Sequence, residues 1–175
     1  MGFSATALYA PLSLYYSGNI NRDVSFGDKL FQANSDVEAK YMFNSYRLTY
    51  QYMMVNNDKW KFGYGLTIKI RDAIIELKSG DKVAGLSNVG PVPIINFHLS
   101  YSISETLAAV LNGDALGAPG IPGRAEDISM TINYIKSDNL SIRAGYRFLE
   151  GGSGGTNVYT FALIHYGLIG VQYTF

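Results

Sequence analysis

The chain has 175 residues, the size of one domain (residues 1–175), and its formal charge of zero, from 14 basic and 14 acidic side chains, leaves no bulk field to attract nucleic acid. Charged residues make up 16% of the chain and aromatic residues 14%, whereas ordinary soluble domains carry about 25% charged residues. Cysteine is absent, which excludes disulfides and thiolate metal sites, and no apolar run reaches the roughly 20 residues that a membrane helix needs.

Alternation of apolar and polar residues with a period of two predicts β-strands from end to end and favours no helix. The alternation starts within the first few residues, so the chain does not open with the charged and then apolar segments of an export signal. We expect such a signal to have preceded Met1 in the precursor. The eight predicted strands are residues 3–16, 37–54, 60–77, 92–103, 107–115, 128–136, 140–149 and 157–175.

The third predicted strand shows the alternation most clearly, in the stretch WKFGYGLTIKI at residues 60–70. One row is aromatic and aliphatic: Trp60, Phe62, Tyr64, Leu66, Ile68 and Ile70. The other row is polar or small: Lys61, Gly63, Gly65, Thr67 and Lys69. A soluble sandwich would bury the first row, whereas a membrane barrel would bury the second.

The connections between the predicted strands alternate strictly between short and long. The short ones are rich in turn residues: VNNDK at 55–59, SET at 104–106 and SDN at 137–139. The long ones are residues 17–36, 78–91, 116–127 and 150–157. An up-and-down meander therefore places all short turns at one end and four long loops at the other, an asymmetry typical of outer-membrane barrels.

Aromatic residues form two bands on this layout. Near the short turns lie Tyr50, Tyr52, Trp60, Phe62, Tyr101, Tyr134, Tyr173 and Phe175. Near the long loops lie Tyr15, Tyr16, Tyr41, Phe43, Tyr146, Phe148, Tyr159 and Phe161. Because amphipathic rings prefer the headgroup level of a bilayer, two such bands around an aliphatic zone indicate interfacial girdles.

The polar rows indicate which face is inside. They consist mostly of small side chains: Asn96, His98, Ser100 and Ser102, then Ser129, Thr131 and Asn133, then Ser141, Arg143, Gly145 and Arg147. A face exposed to water does not require Gly, Ser and Thr, but the narrow interior of a small barrel does. We therefore predict an all-β fold, an eight-stranded antiparallel up-and-down transmembrane β-barrel, with the polar rows inside and the apolar rows facing lipid.

The strand count, the loop asymmetry and the closing stretch GLIGVQYTF resemble small outer-membrane barrels of the OmpA/OmpX type. In that family the last strand ends in an aromatic residue that follows apolar or aromatic residues at alternate positions, a pattern matched by Ile169, Val171, Tyr173 and Phe175. The resemblance implies a monomer in the bacterial outer membrane, with membrane lipid and lipopolysaccharide as partners. It also implies that the barrel-assembly machinery recognises Phe175.

Charged residues gather towards the long-loop end of the predicted strands. The candidate ligand-binding residues of the lumen and rim are Arg71, Asp72, Glu76, His98, Asp114, Asp127, Arg147 and Glu150. One interpretation is an internal ion-pair network that fills the lumen; the other is a polar pocket, open between the loops, for a small ligand. No catalytic residue, metal site or cofactor is predicted, because no phosphate loop, nucleophile elbow or dinucleotide fingerprint is present.

The two histidines bear on an enzymatic alternative. His98 and Ser100 form the H-x-S pattern of outer-membrane lipid A deacylases, but the asparagines that follow it in that family are missing, and the alternation turns both residues inward. His165 shares its phase with Leu163 and Ile169 and would face lipid, so we expect a bulge at Gly167 or Gly170.

These observations favour a non-enzymatic integral membrane barrel of structural or small-ligand-binding type, too narrow for a wide pore. Lateral transport of small hydrophobic molecules is the first alternative, favoured by the apolar residues Ala162, Ile164 and Leu168 in the inner row of the last strand. Lipid A deacylation or acyl transfer is a second, and it requires a histidine that faces lipid with a serine in reach. A soluble lipid-binding barrel of the lipocalin kind, with the two faces reversed, is a third.

Overall fold

The computed structural model describes residues 2–117, 123–154 and 159–175, and it confirms the all-β prediction. The strands are β1 (Gly2–Ala10), β2 (Ser13–Asn19), β3 (Val24–Phe26), β4 (Lys29–Phe31), β5 (Asp36–Asn56), β6 (Trp60–Ser79), β7 (Lys82–Ser102), β8 (Leu107–Leu116), β9 (Gly123–Ser137), β10 (Leu140–Gly154) and β11 (Tyr159–Tyr173). Within the described ranges no helix is long and apolar enough to cross a membrane.

Nine of the strands form one antiparallel sheet. Its path is β1-β5-β6-β7-β8-β9-β10-β11, with β2 also paired to β5, while β3 and β4 form a separate two-stranded sheet. From β5 onwards, strands that follow each other in the chain are neighbours in the sheet, as a meander requires. The strands β1 and β11 end this path, and no pairing between them is seen in the part of the chain that the structure describes. The closed barrel therefore stays a prediction.

The first predicted strand is divided in two. β1 ends at Ala10 and β2 begins at Ser13, because Pro11 has no amide hydrogen to donate to a ladder. Both pieces pair with β5, and the β2 register runs from Ser13 opposite Met42 to Asn19 opposite Asp36.

The prediction of a long loop at residues 78–91 is wrong. β6 continues to Ser79 and β7 begins at Lys82, so a two-residue turn joins them. Gly80 has φ +57°, which glycine adopts at little cost and which permits this tight reversal. The Ser, Gly and Asp residues of the segment indicated a loop, but strands continue through such residues where neighbouring strands satisfy their backbone hydrogen bonds.

The other predicted long loops also contain strands. Residues 17–36 include the β3–β4 hairpin, which turns at Gly27 with φ +60°. β9 begins at Gly123 and β10 extends to Gly154, inside the predicted loops 116–127 and 150–157. The rest of these two loops, residues 118–122 and 155–158, lies outside the described residues, as do the side chains of Tyr159 and Phe161 from the predicted aromatic band.

The chain divides into two compact units. The larger unit comprises Met1–Thr6, Thr49–Thr67 and Pro93–Phe175, and the smaller comprises Ala7–Leu48 and Ile68–Val92. Each of β5, β6 and β7 contributes residues to both units.

In the smaller unit, apolar side chains form a small core around the β3–β4 hairpin. Phe31 is 1% exposed and is buried together with Val37 and Ala84. The half-buried side chains of Ile20, Val24, Phe26 and Leu77 pack against them. This cluster, the hairpin core, follows the rule of water-soluble domains, in which apolar surface is removed from water.

In the larger unit the burial pattern is the opposite. Thr67 is fully buried and Asp114 and Asp127 are each 7% exposed, whereas Leu66, the neighbour of Thr67, is 52% exposed. Exposed apolar side chains also alternate with the polar row along β9, where Met130, Ile132 and Tyr134 face outward. A lipocalin-type barrel would show the reverse arrangement.

The buried row is not uniformly polar, nor buried along its whole length. Ile94, Val110 and Leu149 are buried apolar members of it, and Lys61 and Arg143, close to the short turns, are exposed. Two of its glycines lie close to the backbone of the neighbouring strand. A Cβ on Gly65 would overlap the carbonyl oxygen of Tyr50, and a Cβ on Gly145 would overlap that of Met130. Small residues are therefore required at these points of the polar row.

Candidate functional site

Three of the predicted site residues meet on the buried face of the larger unit. They are Asp114 on β8, Asp127 on β9 and Arg147 on β10. The register places Asp114 directly opposite Asp127, and Arg147 opposite Ser129. Because side chains two residues apart share one face of a strand, Arg147 reaches Asp127 diagonally across the ladder.

Asp127 and Arg147 form a bidentate ion pair. Arg147 Nε donates to Asp127 Oδ1 and Arg147 Nη2 donates to Asp127 Oδ2, both at 2.7 Å. The Arg147 guanidinium carbon also lies 5.7 Å from the ring centre of Tyr166, which stands opposite it on β11. Two parallel charge-assisted hydrogen bonds fix the geometry of the pair as well as its charge balance.

Asp114 is the centre of a hydrogen-bond network drawn from four strands. Its Oδ1 accepts from Thr67 Oγ1 at 2.7 Å and from Asn96 Nδ2 at 2.9 Å. Asn96 Oδ1 accepts in turn from Gln51 Nε2 at 2.6 Å, and Thr67 Oγ1 lies 2.7 Å from Thr49 Oγ1. These five residues are called the Asp114 network below.

The hydrogen bonds between side chains of the network are all donated in the direction of the Asp114 carboxylate. Thr67 has one hydroxyl hydrogen and donates it to Asp114, so in the contact between the two threonines Thr49 must be the donor. The Asn96 amide has a second acceptor at 3.2 Å, the carbonyl oxygen of Gly113. This ordered donation satisfies an acidic group that would otherwise be costly to bury.

The opposition of Asp114 and Asp127 is the main electrostatic feature of the site. Like charges directly opposite each other on one face of a sheet destabilise it. Here hydroxyl and amide donors compensate Asp114 and the Arg147 guanidinium pairs with Asp127, and the charge of Arg147 also acts on Asp114. The arrangement is suited to holding two negative charges in a confined space.

His98 lies on the same buried face, two residues along β7 from Asn96. Its Nδ1 is 2.6 Å from Asn112 Oδ1, directly across the ladder to β8. Because an amide oxygen only accepts, His98 Nδ1 carries a hydrogen in this contact. The polar contact of His98 is thus with an amide, and no serine hydroxyl hydrogen-bonds either histidine among the described side chains.

Three predicted site residues, Arg71, Asp72 and Glu76, belong to the smaller unit. Arg71 Nη2 donates to Asn88 Oδ1, and Arg71 Nε is buried without a hydrogen-bond partner. Asp72 Oδ2 accepts from Asn44 Nδ2 at 3.5 Å, a long hydrogen bond. Glu76 is half-buried on β6.

Glu150 lies on the opposite face of β10 from Arg147, because the two are three residues apart. Its carboxylate pairs with Arg124, which is on β9 and more exposed than Glu150. Glu150 and Arg147 therefore lie on different faces of β10 and are not grouped together as expected.

His165 lies on the exposed row, and the bulge predicted at Gly167 or Gly170 is wrong. β10 and β11 pair without interruption from Leu140 opposite Tyr173 to Gly154 opposite Tyr159. The ring of His165 stacks on that of Tyr146, with centroids 5.9 Å apart, and its Nδ1 contacts the Tyr146 hydroxyl. A local polar partner, rather than a change of phase, accommodates the histidine.

The chemistry available to the site is charge pairing and hydrogen bonding. The hydrogen-bond partners of the two histidines are the Asn112 amide and the Tyr146 hydroxyl, and among the described side chains neither partner is a serine, threonine or cysteine. Residues 2–117, 123–154 and 159–175 also contain no group of three or more His, Cys, Asp or Glu side chains able to hold a metal ion. The residues that the sequence analysis did not select, Thr49, Gln51, Thr67, Asn96 and Asn112, are neutral, so the charge that marked the candidate residues did not mark them.

Comparison with known proteins adds no assignment. No family model matches the chain, and neither a curated protein nor a solved structure is significantly similar to it.

Proposed function

We propose that the chain is a non-enzymatic integral β-barrel of the bacterial outer membrane, of structural or small-ligand-binding type, with a charged interior and no wide pore. The observation that carries the proposal is the reversed burial of the larger unit. In water, exposure of the apolar row and burial of Asp114 and Asp127 would both be unfavourable. In a bilayer the same arrangement becomes favourable, because lipid solvates the apolar row.

The length of the apolar row supports a bilayer in particular. From Trp60 to Ile70 every second residue of β6 is aromatic or aliphatic. Ten steps at about 3.3 Å each give about 33 Å along the strand, and a tilt of about 40° reduces that to about 25 Å, the height of the apolar band of outer-membrane barrels.

Aromatic pairs at the short-turn end of the larger unit, in which Trp60, Phe3 and Tyr50 are exposed and Tyr101 is half-buried, support the same proposal. The rings of Trp60 and Tyr101 lie 4.5 Å apart, and those of Phe3 and Tyr50 lie 5.3 Å apart. Lys59 Nζ is 5.6 Å from the ring centre of Tyr101. Rings with a neighbouring ammonium group suit the boundary between acyl chains and headgroups.

The filled polar face supports the absence of a wide pore. Eight strands enclose a space that side chains fill, and the Asp114 network and the Asp127–Arg147 pair are side chains of that kind. We expect planar-bilayer recordings to show no large, steady channels; their appearance would contradict this part of the proposal.

The test of membrane embedding uses Trp60, the one tryptophan of the chain. We expect bromine atoms placed high on the acyl chains of reconstituted bilayers to quench its fluorescence, and bromines near the bilayer centre to quench it less. The control is the double variant Trp60→Phe/Leu30→Trp, which moves the tryptophan into the hairpin and should escape both. An unquenched Trp60 in a protein that stays monomeric without detergent would overturn the proposal.

Recognition of Phe175 by the barrel-assembly machinery is a separate part of the proposal. The Phe175 ring is fully exposed and meets Tyr173 edge-on at 5.0 Å, so it is available to a partner. We expect Phe175→Ala to reduce the folded protein in outer-membrane fractions several-fold and to leave refolding in detergent unchanged. Equal losses in both measurements would indicate a structural role instead.

A further inference from the structure

Arg71 on β6 has a hydrogen-bond donor that the described residues leave unused. Its Nε is buried without a hydrogen-bond partner among them, and its Nη2 donates to the neutral side-chain amide of Asn88. A buried donor without an acceptor is unfavourable, because the hydrogen bond that water gave it is lost and not replaced. A ligand oxygen that accepts from Arg71 Nε would restore that bond.

The carboxylates of β5 and β6 in the smaller unit lie on the face opposite to Arg71. Asn44 donates to Asp72, and Lys78 pairs with Glu38, so these cross-strand partners place the even-numbered residues of both strands on one face. The acidic residues in this part of the two strands are all even-numbered: Asp36, Glu38, Asp72 and Glu76. Arg71 is odd-numbered, so its face of these two strands favours an anionic ligand group.

An apolar strip begins next to Arg71 on the same face. Its members are three successive pairs of opposite residues on β5 and β6, all half-buried: Phe43 and Ala73, Tyr41 and Ile75, and Ala39 and Leu77. The rings of Tyr41 and Phe43 lie parallel, with centroids 6.4 Å apart. Lys69 Nζ is 4.8 Å from the centre of the Phe43 ring, which brings a second cation to the end of the strip nearest Arg71.

At its other end the strip meets an apolar cleft beside the hairpin core. Ala39 and Leu77 line this cleft together with Tyr16 and Phe31. Tyr16 is opposite Ala39 in the register of β2 with β5, so the sheet residues of this wall share the face of the strip. The cleft has a volume of about 360 Å³, room for about a dozen non-hydrogen atoms at about 30 Å³ each.

The distance between the cationic end and the cleft matches an acyl chain. Arg71 and Leu77 are separated by six steps along β6, which at about 3.3 Å each give about 20 Å. One chain of a lipid bilayer spans about 15 Å, half of the hydrocarbon core. The two lengths are comparable, so a long chain whose head group is at Arg71 extends to the cleft.

We propose that this face of the smaller unit binds a long-chain fatty acid. The carboxylate accepts a hydrogen bond from Arg71 Nε, the chain lies over Phe43 and Ile75, and the end of the chain enters the cleft beside Phe31. A barrel of eight strands can hold one small ligand. The proposal specifies the ligand of the small-ligand-binding type proposed above and rests on that part of the proposed function, but it does not depend on membrane embedding.

The first test compares three probes with the same chain and different charge: dodecanoate, dodecanol and dodecylamine. Binding is measured by calorimetry on the whole folded protein in a neutral detergent, and the heat of the same titration into protein-free detergent is subtracted. We expect dodecanoate to bind at least fivefold more tightly than dodecanol, and dodecylamine to bind most weakly. Tighter binding of dodecylamine, or no binding of dodecanoate, would overturn the proposal.

A charge variant tests the position of the carboxylate. Arg71→Gln should weaken dodecanoate binding at least tenfold and dodecanol binding less than twofold, since only dodecanoate carries the complementary charge. Lys78 is an exposed cation on the opposite face of the same strand, so Lys78→Gln is the matched control and should change neither affinity more than twofold. Equal losses of dodecanoate affinity in the two variants would overturn the position. Arg71→Gln should also leave the unliganded protein as stable as before, because the lost Nε donor has no partner there.

A filling variant tests the position of the chain. Ala39→Phe places a ring in the wall of the cleft, so we expect it to weaken hexadecanoate at least fivefold and octanoate, which is too short to reach the cleft, less than twofold. The exposed Ala144 on β10 provides the control Ala144→Phe, which should change neither affinity. Equal effects of Ala39→Phe on the two acids would overturn this position.

The binding results and the quenching of Trp60 fluorescence can fail separately. Failure of fatty-acid binding beside quenched Trp60 fluorescence would refute the ligand assignment alone. Binding without quenching would refute the membrane proposal alone.

Discussion

The two units bury opposite kinds of side chain, as the surroundings of Asp127 in the larger unit and of Phe31 in the smaller unit show. Around Asp127 the buried side chains are polar and find their partners across the ladders, while apolar neighbours such as Met130 are exposed. Around Phe31 the buried side chains are apolar and pack on one another, while charged neighbours such as Glu38 are exposed. The first region depends on paired charges and the second on apolar contact, so substitutions should separate them cleanly.

The largest effect is expected where a buried charge loses its partner. Arg147→Leu leaves the Asp127 carboxylate without its bidentate donor and should lower the free energy of unfolding by about 3–5 kcal/mol. Denaturant unfolding in detergent, followed by Trp60 fluorescence, measures the loss. Arg143 lies on the same row of β10 but is exposed, so Arg143→Leu should cost less than about 1 kcal/mol. The double variant Arg147→Leu/Asp127→Leu removes the unpaired carboxylate and should recover part of the lost stability. If it is less stable than Arg147→Leu alone, the loss does not come from an unpaired Asp127.

The hairpin core should respond to loss of apolar volume instead. Phe31→Ala removes its most buried ring and should lower the local opening free energy of the hairpin by about 3 kcal/mol or more. Hydrogen exchange along the ladder from Val24 opposite Phe31 to Phe26 opposite Lys29 reports that opening. Phe3 is 66% exposed, and Phe3→Ala should leave the same amides unchanged. Equal effects of the two variants would contradict an apolar core.

Two exposed leucines can test whether the two regions face different solvents. Leu66 and Leu30 are 52% and 49% exposed, so in water arginine would be tolerated at both. In a bilayer Leu66→Arg should destabilise the folded protein by about 2–4 kcal/mol, whereas Leu30→Arg should stay within about 0.5 kcal/mol. Reversible unfolding in lipid vesicles provides the comparison. Tolerance of both arginines would remove the distinction between the regions.

The smallest expected effect concerns one hydroxyl of the Asp114 network. Thr67→Val keeps the shape of the side chain but removes the donor to Asp114, at a cost of about 1–2 kcal/mol. The exposed Thr174, as Thr174→Val, is the matched control. If the two substitutions cost the same in denaturant unfolding, the network does not contribute to stability in the way its geometry indicates.

Much of the fold could be predicted because local alternation and long-range pairing agree over most of the chain. β6 shows this well, since the small and polar residues of WKFGYGLTIKI indicated which row is buried. The start of β7 shows the limit. Its two glycines, with Ser87 and Asn88, favour a loop locally. Only the pairing of the strand with its neighbours in the sheet, which a single sequence does not reveal, makes it a strand.

The site could be predicted as far as strand periodicity reaches. Asp127 and Arg147 were selected as charged residues near the long-loop end, Arg147 also by its place in a polar row, and the structure brings them together. Strand periodicity alone already places Glu150 on the other face of β10, three residues from Arg147. The neutral partners Thr67 and Asn96 were beyond reach, because the register that sets them beside Asp114 depends on turn geometry at several strands.

The uninterrupted ladder between β10 and β11 has a consequence for how the chain acquires its structure during synthesis. All fifteen residues of β11 pair with β10, and β11 is made after β10. Until it arrives, the whole length of β10 presents unsatisfied amide and carbonyl groups, the kind of edge that recruits other chains into aggregates. Whenever β11 is not in place, the free edge of β10 is therefore open to pairing with another chain.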